Sequence, residues 1–273
     1  MPPVALNEYA IWRYVLPETY TWENTRMSAA SLVRRSRRAL AVTLAGAAAL
    51  AGGSAIAGAQ GAATKPTVAI MYFTNGAISN NAEYAPLSKG LAEMLITELS
   101  GNENIRVVER DRLQSLLDEQ NLGASGRVAT ETAAKIGKTL GALHMLMGSF
   151  VIDPKNTMRM DVRAINTETS ELEYATSVTG KADKMLELLG ELGTKLNTGL
   201  KLPSVQRGFE EGKAVGAKGP NQLKSMMLLS RALEQQDRKN NVQAVALYKE
   251  SIQANPDNQR AKTLLASLES GTR

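Results

Sequence analysis

The side chains in this 273-residue chain that lend themselves to chemistry are few and scattered. His144 is the only histidine, and it stands in an apolar run without a neighbouring Cys, Asp or Glu. A catalytic or metal-binding histidine is oriented by a carboxylate or joined by further ligands, so a packed or surface strand residue is the simpler reading. Glu109-Arg110-Asp111-Arg112 sets two carboxylates close together, the raw material of general acid–base work. At the start of a helix, however, acids complement the dipole and arginines pair with them, which accounts for the motif without catalysis. Gly123-Ala124-Ser125-Gly126 has the glycines of a phosphate loop but not its Gly-Lys-Ser/Thr ending or its preceding strand. Ser125 likewise has no nucleophile-elbow context. Met145, Met147, Met158 and Met160 recur at strand spacing, as core residues do, rather than as a metal-binding box. The chain has no cysteine, which excludes disulfides, a thiolate zinc site, a Cys nucleophile and a lipid anchor on an amino-terminal Cys. No catalytic, cofactor or metal residue is assigned, and the chain reads as a binding protein rather than an enzyme.

Whole-chain composition is that of a globular protein, 43% hydrophobic and 22% charged, with only 4% aromatic residues. The core must therefore rest on Leu, Ile, Val, Met and Ala. The net charge of +5 is unevenly placed. Residues 1–59 hold six of the 32 bases (Arg13, Arg26, Arg34, Arg35, Arg37, Arg38) and three of the 27 acids (Glu8, Glu18, Glu23). That leaves 26 bases against 24 acids, a net of +2, so no nucleic-acid partner is expected.

The basic excess belongs to an address. Arg34-Arg35-Ser36-Arg37-Arg38 runs into the uncharged stretch Ala39–Ala51, and small residues follow. Ala55-Ile56-Ala57 and Ala57-Gly58-Ala59 both satisfy the small-x-small rule, which predicts a secretory signal over 27–59, cleaved after Ala57 or Ala59. The apolar run is too short to span a bilayer. Membrane contact is left open, with no lipid anchor and no mature transmembrane helix. Met27 lies close to the arginines, as the first residue of a signal does, so residues 1–26, with both tryptophans Trp12 and Trp22, read as a mis-started upstream segment.

Beyond the signal the elements alternate. Thr67–Phe73 is a continuous apolar run and predicts a buried strand. Leu87, Leu91, Leu95 and Leu99, with Met94, predict an amphipathic helix. Ile105–Val108 is a second short strand, helices follow around Leu113–Leu117 and over 131–140, and Gly141 ends the latter. The period then changes to two. Leu143–Val151 is a strand, Asp153–Asn156 a turn, Met158 to Ala164 alternate with polar residues, Asn166–Thr169 turn again, and Leu172 to Val178 alternate once more. Met185 to Leu200 close the unit with a helical stripe. The fold class is α/β (α+β), a mixed sheet packed by helices over residues 66–200.

Several consecutive blocks carry a family likeness. They are Leu87-Ser88-Lys89-Gly90-Leu91-Ala92-Glu93-Met94-Leu95, Val107-Val108-Glu109-Arg110-Asp111-Arg112-Leu113, Glu119–Gly126, Ala133–Gly137 and Leu140–Ala142. In this order they resemble the CsgG-type curli production assembly/transport family, over about 66–200. The resemblance implies a periplasmic α/β domain in the bacterial envelope, possessed in the curli channel by copies that form an outer-membrane pore through inserted hairpins and carry a lipid anchor. This chain departs on both counts, having no Cys and only a short turn at 150–157, where a membrane hairpin needs two strands of about nine to eleven residues.

Residues 201–220 read as a linker containing Gly208, Gly212, Gly216 and Gly219-Pro220. Beyond it, Ala232, Ala244, Tyr248, Ser251 and Pro256 fall at the spacing of a tetratricopeptide-like helical hairpin over 221–273, with a third helix from Ala261 to Leu268. Arg231 and Gln235 depart from that pattern. One such repeat cannot bury both faces alone, so it must pack on the α/β domain or on a partner. The expected role is a periplasmic assembly or secretion accessory, with association to the outer membrane and to itself left open; a secretion-channel subunit is the alternative, and an enzyme of unknown type the third.

Overall fold

The computed structural model describes residues 65–76, 81–120, 128–203 and 219–271. The signal, its cleavage positions Ala57 and Ala59, the segment 1–26, the Gly123–Gly126 loop and most of the linker lie outside them. The strands are β1 (Thr67–Ile70), β2 (Thr74–Asn75), β3 (Arg106–Val107), β4 (His144–Ile152), β5 (Thr157–Asn166) and β6 (Leu172–Lys181). The helices are α1 (Asn81–Tyr84), α2 (Leu87–Leu99), α3 (Arg110–Glu119), α4 (Thr130–Thr139), α5 (Met185–Gly199), α6 (Gln222–Asp237), α7 (Asn241–Ala254) and α8 (Gln259–Gly271).

The sheet is mixed, in the order β3-β1-β4-β5-β6, with β2 also on β4. β1 runs parallel to β3 and β4, as crossovers through helices require, while β4, β5 and β6 are antiparallel neighbours joined by tight turns. The run at 67–73 forms a strand only to Ile70; Met71, Tyr72 and Phe73 continue buried before β2. Period-two patterning then sorts β5: Met158, Met160, Val162 and Ala164 are buried, while Arg159 and Arg163 point to water. Of the four strand methionines, Met145, Met158 and Met160 are buried and Met147 is half-buried.

Helix α2 lies at the centre. Ten of its residues are buried, because α5 packs on one side and α6 on another. Gly141 (φ +70) ends α4 in the left-handed conformation that glycine adopts without strain, and the N–H of Ala142 donates to the carbonyl of Gly137 at 2.9 Å.

Helices α6, α7 and α8 share the apolar core of the sheet domain. Met226, Leu229, Ala232, Leu233, Ala244, Tyr248 and Ala261 are fully buried in the same cluster as Val68, Leu91 and Leu189. At Gly90 on α2 the crossing with α6 is so close that a Cβ would sit 3.1 Å from that of Ser230 and 1.9 Å from its hydroxyl. Between α6 and α7, the hydroxyls of Ser225 and Ser251 donate to each other's carbonyls at 2.9 and 2.8 Å. Asn258 joins them through Nδ2 and caps α8 by accepting from the N–H of Ala261 at 3.0 Å. Ala232, Ala244, Tyr248 and Ser251 are thus all at helix contacts, whereas Pro256 is exposed between α7 and α8. The main-chain N–H of Leu186 on α5 donates to the side chain of Gln222 at 2.9 Å, tying the start of α6 to the domain.

Candidate functional site

Lys89 and Glu93 stand four residues apart on α2, hence on one face. Arg110 opens α3, Gln114 follows one turn later, and Tyr72 lies in the buried run after β1. The chain fold brings to these residues Asp237, the last residue of α6, and Arg260, near the start of α8. The Arg110 guanidinium donates from Nη1 to Asp237 at 2.8 and 3.1 Å, from Nη2 to Asp111 at 2.7 Å, and lies with Nε 3.3 Å from Glu93. Glu93 also accepts from Nε of Arg260 at 2.5 Å. Lys89 completes the group, donating to Asp237 at 2.5 Å and to Gln114 at 3.2 Å, with its ammonium 5.3 Å from the centre of the Tyr72 ring. The Tyr72 hydroxyl donates to Gln114 at 2.6 Å.

The cluster is dry. Side-chain exposure is 3% at Arg110 and 1% at Glu93, so each charge depends on its partners rather than on water. Burial, the largest single influence, would lower the Arg110 pKa, but Asp237 together with its other partners outweighs it and the guanidinium is held above its ordinary value. Burial pushes the Tyr72 and Tyr248 phenols up, and they stay protonated. The Tyr248 hydroxyl donates to Gln236 at 2.7 Å. Every charge here is matched to an opposite one across the α2–α6–α8 junction. The arrangement fixes where the C-terminal helices sit, and its donors and acceptors are already spent on one another.

Two other places gather polar side chains. His144 Nδ1 lies 2.6 Å from Glu173, whose other oxygen accepts from Asn166 at 2.8 Å. The carboxylate absent from the histidine's sequence neighbourhood thus arrives from β6, but at a strand end. The second place is the solvent face of β4, β5 and β6, where a groove of about 860 Å³ has a floor of Met147, Ser149, Arg159, Asp161 and Arg163 and a wall at Val128–Thr130. Arg159 there is bidentate on Asp161, at 2.6 to 3.0 Å. Among the described residues no group of three or more His, Asp or Glu is arranged to hold a metal, and no helix is long and apolar enough to cross a membrane.

Sequence reading found Arg110 and Asp111 but paired them locally. It missed Lys89, Glu93, Asp237 and Arg260. A signal was present in Glu93, a charge set between Leu91-Ala92 and Met94-Leu95 where no wet side remains on the helix.

Residues 49–152 match the family model of the curli production assembly/transport component CsgG, and the chain is CsgG-like over that region. The match includes the blocks from Leu87 to Ala142; the turn at Asn166–Thr169 lies beyond it. No curated protein matches the chain significantly. Among solved structures, LpoB from Escherichia coli, determined by NMR, is similar at 16% identity over 63% of this chain and 94% of that one, with a TM-score of 0.34. Lipoprotein GNA1162 from Neisseria meningitidis is similar at 13% identity over 50% of this chain and 98% of its own, with a TM-score of 0.35. A dodecameric PelC variant from Paraburkholderia phytofirmans is similar at 11% identity over 50% and 89%, with a TM-score of 0.30.

Proposed function

We propose that this chain is a non-catalytic accessory or scaffold of the bacterial cell envelope, exported by residues 27–59 and acting in the periplasm through contacts with protein partners. The observation that carries the reading is the match of residues 49–152 to an assembly and transport component. Two further observations support it. The charged cluster is consumed in holding helices together, and the signal pattern ends at Ala57 and Ala59. The tetratricopeptide-like helices give that scaffold an outer surface. Their inner face lies on α2, so a partner meets the exposed side of α7, where Val242 is 86% exposed.

Osmotic release from the native host, with an intact mass of the recovered protein, tests the reading. Soluble protein cut after Ala57 or Ala59 is the expected result; an uncut cytoplasmic protein would refute it. The family description also names transport, which favours a secretion-channel subunit as the second reading. Recovery in the outer-membrane pellet, with single-channel conductance in a planar bilayer, would establish that reading instead. A pull-down with Val242→Asp is a sharper probe of the helical surface than deletion of 221–273, since deletion would also strip the cover from α2.

A further inference from the structure

Helix α6 is held on two sides and turns a third outward. Ser230 and Asp237 meet α2, the one against Gly90 and the other on Lys89. Ser225 and Gln236 meet α7, bonded to Ser251 and Tyr248. The remaining line is Lys224, Leu228, Arg231, Gln235 and, just past the last turn, Arg238, recurring at steps of four and three. Lys224, Arg231 and Arg238 are exposed, and Leu228 is half-buried between the first two. Seven residues advance about 10 Å along a helix, so the three cations form a row about 20 Å long.

The charges of this row are not spent within the chain. Elsewhere exposed lysines pair with acids, Lys184 with Glu187, Lys195 with Glu191 and Lys249 with Glu269. Among the described residues no carboxylate lies within ion-pair distance of Lys224, Arg231 or Arg238. Glu234, about one turn from both arginines, reaches neither. The stretch that precedes α6, 204–218, holds Arg207, Lys213 and Lys218 against Glu210 and Glu211, an excess of the same sign as the row.

We propose that this face of α6 docks an acidic helix of a partner protein, with Asp or Glu at steps of seven opposite Lys224, Arg231 and Arg238 and an apolar residue over Leu228. Steps of four and three are the seam along which one helix packs beside another, and charges bordering such a seam choose the partner. Arg231, a departure from the tetratricopeptide pattern, is the centre of the row: an apolar side chain there would receive an apolar helix, and the guanidinium asks for a carboxylate instead. A bilayer surface selects no spacing, and the line offers only Leu228 to enter one. The proposal deepens the accessory reading and rests on it only in taking protein contact as the mode of action. Its failure would leave both the export of the chain and the outer side of α7 untouched.

Fluorescence anisotropy of labelled synthetic helices against the full chain tests this. One peptide carries Glu at every seventh position beside a Leu seam; the other has the same composition in scrambled order. The first should bind about tenfold tighter than the second, and its affinity should fall about tenfold from low to physiological salt. Lys224→Glu combined with Arg231→Glu, both on exposed side chains, should lower that affinity about tenfold with the circular dichroism and melting temperature unchanged. A peptide with Lys in place of Glu should then bind this variant better than it binds the native chain. No binding, equal binding of the two Glu peptides, or binding indifferent to the double variant overturns the proposal. Sedimentation of the chain with phosphatidylglycerol vesicles, lost in the double variant and without peptide binding, would overturn it by assigning the row to a lipid surface.

Discussion

The β4–β5–β6 hairpins and the junction of α2 with α6 both carry arginines beside aspartates, and they use them in opposite ways. On the hairpins, Arg159 and Asp161 sit two residues apart on one strand, with side-chain exposures of 58% and 39%. Water screens that pair, and the sheet does not depend on it. At the junction, Arg110 reaches Asp237 across 127 residues of sequence, with side-chain exposures of 3% and 14%. No water replaces a lost partner there. The same chemistry is decoration in one region and a fixing device in the other, and burial decides which.

The comparison predicts its largest effect at Arg110. Replacing it with Met leaves Asp237 and Glu93 short of a partner in a dry site, and unfolding in urea should show a loss of about 3–5 kcal/mol. Because the cost is one of unbalanced charge, exchanging all five residues (Lys89, Glu93, Arg110, Asp237 and Arg260) for apolar side chains of similar volume should cost far less than Arg110→Met alone. A larger loss in the fivefold variant would show that the ion pairs themselves stabilise the fold.

Next comes the helix crossing. Gly90→Ala puts a Cβ within 3.0 Å of the Met226 sulfur and into the Ser230 hydroxyl, so α2 and α6 must part. The expected loss is about 1–3 kcal/mol, offset in part by alanine's better helix propensity of about 1 kcal/mol. Ser230→Gly in the same chain removes both the blocking hydroxyl and its Cβ and should recover much of the melting temperature. If Gly90→Ala instead stabilises the protein, α6 is not seated on α2 as described.

A smaller effect comes from the two buried phenols. Their folded-state pKa values lie above the ordinary 10.0. The stability they contribute is complete below that value and falls as pH rises through it, because only the unfolded chain can then release those protons. A titration of stability from pH 8 upward should be flat at first and decline above about pH 10, by at most about 1.4 kcal/mol per pH unit for each phenol. Phe at Tyr72 and Tyr248 should flatten the decline.

These effects divide along what a sequence can display. The alternation of Met158, Met160, Val162 and Ala164 with Arg159, Asp161 and Arg163 announces β5, since period two is a local property and one face is wet. The stripe from Leu87 to Leu99 announces α2 equally well. What lies on each side of α2 is not local. Glu93 stands where an apolar residue would be expected, but its partners come from α3 and, 167 residues later, from α8. The encounter of α6 with Gly90 is likewise set by how three helices fold back on the sheet. His144 shows the same limit on a smaller scale, its carboxylate coming from β6, 29 residues on. Elements were legible because their signals are periodic; the junction was not, because its signals are pairings between distant segments whose register only packing determines.

The smallest expected effect belongs to the hairpin face and is the control for the rest. Arg159→Ala removes a bidentate contact to Asp161 that looks, by distance alone, stronger than any single contact of Arg110. Both side chains are open to water, so the guanidinium and the carboxylate exchange each other for solvent at little net change. The urea midpoint of Arg159→Ala, of Asp161→Ala and of the double variant should each fall within the scatter of repeat measurements, in low salt and in high. A coupling between the two positions that salt does not weaken would mean the solvent face of the sheet is covered in solution. The hairpin face would then have to be treated, like the junction, as an interface.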